Sequence, residues 1–106
     1  MFAFMKNKNY EVVNVNDLVD NSKKINLIDV REPGEYRMGR VPGAKNIPMR
    51  MLISEPEKFL KKDVNYHIIC QSGARSARTC DALSAGGFTV TNVSGGTGYF
   101  VGQLER

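Results

Sequence analysis

The chain has no tryptophan, one histidine, two cysteines among its 106 residues, and no apolar run long enough to span a bilayer. Each scarcity excludes a class of function. One histidine and two separated cysteines cannot supply the four ligands of a tetrahedral zinc site, so no metal is expected. His67 stands three positions before Cys70 on one expected strand. That odd spacing sends the two side chains to opposite faces and argues against a Cys/His hydrolase pair. Cys70 closes that strand while Cys80 falls about two turns into the helix after it, beyond disulfide reach. Cys80 reads as a small core residue. The apolar start, Met1 to Met5, is too short for a signal-peptide core, so the chain is expected to stay in the cytoplasm, where a reducing milieu suits a free thiol. Aromatics are few, at 8%, and the lysines and arginines behind the net charge of +4 are scattered rather than clustered. That argues against a nucleic-acid surface and for a mildly electropositive mouth that receives a small anion.

No internal repeat, low-complexity segment or linker divides residues 1–106, so one domain is expected, with 1–9 as an N-terminal extension whose Phe2 and Phe4 pack on the sheet or fray. Apolar residues at that end leave the choice between a monomer and a weak dimer open. Strand-forming stretches at 10–15, 25–30, 44–47, 64–70 and 88–93 alternate with helical ones. Asn16 is placed as the N-cap of a short helix through Leu18 and Val19. Pro33 suits the first turn of a short helix through Glu35, Tyr36 and Met38. Pro56 should split 49–62 into two short helices. The small-residue segment from Ala77 to Ala85 turns Ala77, Cys80 and Leu83 toward the sheet and Arg75, Arg78 and Thr79 away from it. Gly86-Gly87 ends this helix, and Gly95 to Gly98 loops into a last short helix or turn over 99–104. The alternation predicts an α/β fold: a five-stranded, mostly parallel sheet with helices on both faces and ligands at the carboxyl ends of its strands.

The stretch with chemical content is Cys70-Gln71-Ser72-Gly73-Ala74-Arg75-Ser76. A buried strand carries the thiol to its end, a glycine-bearing turn comes next, and a helix begins. N–H groups in such a turn lack intrahelical partners and can converge on an anion, here the sulfur of Cys70. A helix N-terminus with an adjacent cation such as Arg75 lowers a cysteine pKa and so raises the nucleophilic thiolate fraction. Cysteine-dependent phosphatases place arginine sixth after the cysteine; here it is fifth, and the sixth residue is Ser76. The shorter loop suits one added sulfur atom better than a phosphoryl group.

This loop resembles the active-site loop of rhodanese-like sulfurtransferases. Ile28 to Tyr36 and Gly39 to Pro48 resemble that family's upstream signature, and Gly95-Gly96 with Phe100 its C-terminal glycine motif, so the likeness covers about 12–102. It implies a rhodanese-like fold and double displacement. Cys70 would take sulfane sulfur from a small anionic donor such as thiosulfate as a persulfide, and pass it to cyanide, a thiol or a protein acceptor. The sulfur rides on the enzyme, so no cofactor is required. Gln71, Ser72, Gly73, Ala74, Arg75 and Ser76 would cradle the anion. The resemblance also implies that Asp29 and Arg31 lie near Cys70, either as substrate groups or as structural support. The chain departs from the pattern at Arg40, where histidine is common, and at Phe100, where tryptophan is common; both bear on substrate preference. Two other readings remain: a phosphatase or arsenate reductase on a related scaffold, against which the loop length argues, and a non-catalytic binding or sulfide-sensing module, which predicts loss of the thiol.

Overall fold

The computed structural model describes residues 9–18 and 25–106; the expectations for Phe2, Phe4, Val19 and the stretch 1–8 lie outside the described residues. Strands β1 (Glu11–Asn14), β2 (Asn26–Asp29), β3 (Lys45–Asn46), β4 (Asn65–Ile69) and β5 (Thr89–Ser94) form one sheet in the order β1-β5-β4-β2-β3. Every neighbouring pair is parallel. Parallel neighbours need crossovers, and helices α1 (Pro33–Met38), α2 (Met49–Ser54), α3 (Ala74–Ala85) and α4 (Gly96–Tyr99) lie in them or come after the last strand.

Side-chain alternation along the strands builds two cores. Ile28, Ile68, Cys70 and Val90 project to one face, where they pack with Leu52 of α2, Cys80 and Leu83 of α3, and Phe88. Leu27, Ile69 and Val93 project to the other and meet Val15, Leu18 and Val41, with Tyr36 of α1 and Phe100 packed against them. The strands therefore carry near-continuous apolar residues, as a sheet covered on both sides requires.

Four local expectations need correction. The turn after β1 is a single 3-10 turn, Val15–Asp17, capped by Asn14 rather than Asn16: the Asn16 N–H donates to Asn14 Oδ1 at 2.9 Å. Val15 is fully buried, so the chain must turn inward as soon as the strand ends. Asn16 instead ties down the C-terminal segment, donating to the Tyr99 carbonyl at 3.0 Å and accepting from the Val101 N–H at 2.9 Å. Helix α3 opens at Ala74, so three of the loop residues form its first turn. Thr79 is buried, not outward. Its hydroxyl donates to the Arg75 carbonyl at 2.8 Å, and that satisfied donor lowers the cost of burying it. Finally, α4 occupies 96–99, in place of the expected loop, and the residues after Tyr99 leave the helix.

Pro56 divides its segment as expected, into α2 and a 3-10 turn, Pro56–Lys58. Leu52 is the buried anchor of α2, with none of its surface exposed. Leu52→Ala should lower unfolding stability by about 2–5 kcal/mol in denaturant titrations, because it leaves a cavity between α2 and the sheet.

Candidate active site

Strand β4 sits between β2 and β5, and Cys70 comes directly after its last residue with 1% of its surface exposed. The Val30 N–H donates to the Ile69 carbonyl at 2.9 Å, which fastens the end of β2 to the end of β4 just before the thiol. Gly73 then takes φ +109°, a left-handed conformation that lets the chain reverse into α3. As a result the Gly73 N–H, at 3.1 Å, and the Ser76 N–H, at 3.2 Å, both donate to Cys70 Sγ. The Ser76 hydroxyl lies 3.3 Å from the sulfur and donates to the Gly73 carbonyl at 3.1 Å. A thiol can donate to that hydroxyl, and once the thiol is ionised the hydroxyl can rotate and donate back.

These contacts decide the protonation of the thiol. Burial pushes the Cys70 pKa up, but hydrogen bonds from the Ser76 side chain and from the N–H groups of Ser76, Gly73 and Ser72 outweigh it and leave the pKa below the ordinary thiol value. Cys80 shows the same burial without the donors: it is fully buried and its pKa is pushed up to about 12, by burial first and then by the Asp81 and Cys70 charges. His67 is half-buried, and burial lowers its pKa.

The loop is held from behind. The Thr97 N–H and hydroxyl donate to the Cys70 carbonyl at 2.9 and 3.2 Å, and the Gly98 N–H donates to the Gln71 carbonyl at 3.0 Å. Gly96 makes this approach possible. A Cβ there would stand 2.5 Å from the Cys70 carbonyl oxygen and 2.6 Å from that of Gln71. With their carbonyls engaged behind, the loop N–H groups are free to face the sulfur.

The arginines close to the loop are each held by a carboxylate, and the Cys70 charge is among those that raise the Arg75 pKa, after the Glu35 hydrogen bond. Arg75 forms a double hydrogen bond with Glu35 of α1, both contacts at 2.9 Å. The strongest effect on the Glu35 carboxyl is that bond, which lowers its pKa to about 2. Arg31 and Asp29 are both buried and paired at 2.8 Å; Arg31 also donates to the Gly39 carbonyl at 2.8 Å and to Gln71 Oε1 at 3.0 Å. This pair ties the β2 end to the cradle loop, the supporting alternative. Arg40 stacks over the Tyr36 ring at 4.5 Å and lies 3.9 Å from the Glu105 carboxylate, without a contact to the loop. Of the expected cradle residues, Gly73 and Ser76 donate to the sulfur directly and Ser72 adds to the lowered pKa. Gln71 acts through its links to Arg31 and Gly98, while Ala74 and Arg75 open the helix. The sequence assigned no role to Glu35, Thr97 or the Ser76 hydroxyl; the signal for Glu35 was an acidic residue in the segment after β2.

Comparison with known proteins fits this geometry. Residues 13–102 match the Rhodanese family, described as a rhodanese-like domain. The chain is 36% identical over 103 residues to the Bacillus subtilis protein named "Putative sulfurtransferase YtwF", covering 95% of this chain and 97% of that one. The crystal structure of SSP1007 from Staphylococcus saprophyticus superposes with a TM-score of 0.80 at 33% identity, over 91% of this chain and 99% of that one. A rhodanese-like domain protein from Staphylococcus aureus superposes at 0.76 and 32% identity, over 90% and 96%.

The electrostatics can be measured in two ways. The pH profile of Cys70 alkylation should have its midpoint below that of an ordinary thiol, and Ser76→Ala should move it upward by removing one donor to the thiolate. The Glu35 carboxyl ionises more readily folded than unfolded, so its contribution to stability is complete above about pH 5 and fades as pH falls toward 2. Glu35→Gln should therefore flatten the acid limb of stability against pH; an unchanged limb would show that the pair contributes nothing, the common outcome for exposed pairs.

Proposed function

The chain belongs to the rhodanese-like domain family, and from that premise we propose that it is a sulfurtransferase that carries sulfane sulfur on Cys70. The observation that supports this most directly is the pair of N–H donors at 3.1 and 3.2 Å from Sγ. In the first half-reaction the Cys70 thiolate attacks the outer sulfur of a donor such as thiosulfate. A new S–S bond forms to Cys70, the donor S–S bond breaks, and sulfite leaves with its electron pair. The charge now resides on the terminal sulfur of a persulfide. The loop N–H groups hold the inner sulfur, Cys70 Sγ, and so stabilise the thiolate that attacks and is later released.

In the second half-reaction a nucleophile, cyanide in an assay or a thiol or protein acceptor, attacks the terminal sulfur and Cys70 leaves as thiolate. Leaving is favoured by the same donors that lower its pKa. Asp29, Arg31 and Gln71 act in this scheme as support for the loop, while Ser72, Gly73, Ala74, Arg75 and Ser76 form its wall.

Incubation with thiosulfate should raise the intact mass by one sulfur, about 32 Da, in a form that cyanide removes. Cys70→Ser should show no gain. A native chain that takes up no sulfur from thiosulfate or from an organic persulfide, although its Cys70 still alkylates, would rule the reading out.

A further inference from the structure

Beside the cradle lies an open recess of about 460 Å³, which shares Arg75 with the loop and is otherwise walled by the end of β2, the start of α1 and helix α2. This is within the range of sites that take organic ligands, about 300–1,000 Å³, and far larger than a five-atom inorganic ion needs. Its apolar lining is Val30, Met49 and Ile53. Three charged residues line it, Glu32, Arg50 and Arg75. Glu32 and Arg50 both line it, both are exposed, and neither has an ion-pair partner among the described residues. Arg75 and Glu35 satisfy each other, as do Arg31 and Asp29, so the arginines nearest the thiol carry no spare charge into the recess.

Resting on the transferase reading, we infer that the recess binds the body of a zwitterionic aliphatic persulfide, its carboxylate at Arg50, its ammonium at Glu32 and its methylenes on Val30, Met49 and Ile53. Two opposite charges that line one recess together with apolar residues, and form no ion pair with each other, are complementary to a ligand that bears both. The step balances as R–S–SH plus Cys70–S⁻ giving Cys70–S–SH plus R–S⁻. The thiolate attacks the outer sulfur, the S–S bond of the donor breaks, and the departing thiolate keeps the pair.

The test tracks sulfur uptake by Cys70 at short times by intact-mass spectrometry, with each rate divided by the same donor's rate toward free glutathione. The donors are thiosulfate and the persulfides of cysteine, of 3-mercaptopropanoate, which lacks the ammonium, and of cysteamine, which lacks the carboxylate. Cysteine persulfide should be the fastest of the three organic donors. Arg50→Gln should narrow its advantage over cysteamine persulfide, and Glu32→Gln its advantage over 3-mercaptopropanoate persulfide, each by roughly two- to fivefold. Equal rates for the three organic donors, or ratios unmoved by both variants, would overturn the assignment of the recess and leave the transferase intact. Uptake from no donor would sink both.

Discussion

A thiolate buried at the end of a strand has to be solvated by something other than water, and much of this structure answers that need. Cys70 is almost wholly covered, and burial alone would keep its proton on, as it does for Cys80. The Gly73 and Ser76 N–H groups supply the missing solvation. They can do so only if the loop reverses sharply, which the left-handed Gly73 allows, and only if its carbonyls are occupied elsewhere. The α4 segment takes that second task, and the space for it exists because Gly96 has no side chain. A strand, a turn and a short helix from the far end of the chain are thus parts of one anion site.

The charged residues around the loop act as fastenings more than as bait. A buried pair such as Arg31 and Asp29 loses hydration on both partners, so it is tolerable only with further hydrogen bonds. Arg31 makes them to Gly39 and Gln71, and in doing so joins β2, the segment after α1 and the cradle loop. Arg75 and Glu35 do the same between α3 and α1, in a partly exposed setting where the pair adds geometry more than stability.

The sheet order explains why these pieces meet. In β1-β5-β4-β2-β3 every strand runs the same way, so the carboxyl ends of β2, β4 and β5 lie together at one edge. Those ends lead into Asp29 to Arg31, the Cys70 loop and the Gly95 turn, respectively from β2, β4 and β5. Chain segments far apart in sequence become neighbours because parallel strands return to the same edge after each crossover.

The sequence by itself determined the α/β alternation, the strand that ends at Cys70, the glycine-bearing turn, the inert role of Cys80 and the likeness to rhodanese-like proteins, because these depend on neighbours within a few positions. It missed the bounds of α4, the cap at Asn14, the burial of Thr79 and the early start of α3, although the bonds at Asn14 and Thr79 span only two and four positions. Thr79 is the plainest case: a hydroxyl reads as surface until its bond to the Arg75 carbonyl removes the cost of burying it. Only the tertiary structure decided where the arginines point. A guanidinium on a long stem reaches whichever carboxylate the fold brings near, and Glu35, forty positions before Arg75, comes within 2.9 Å only once α1 and α3 have packed at the same edge of the sheet.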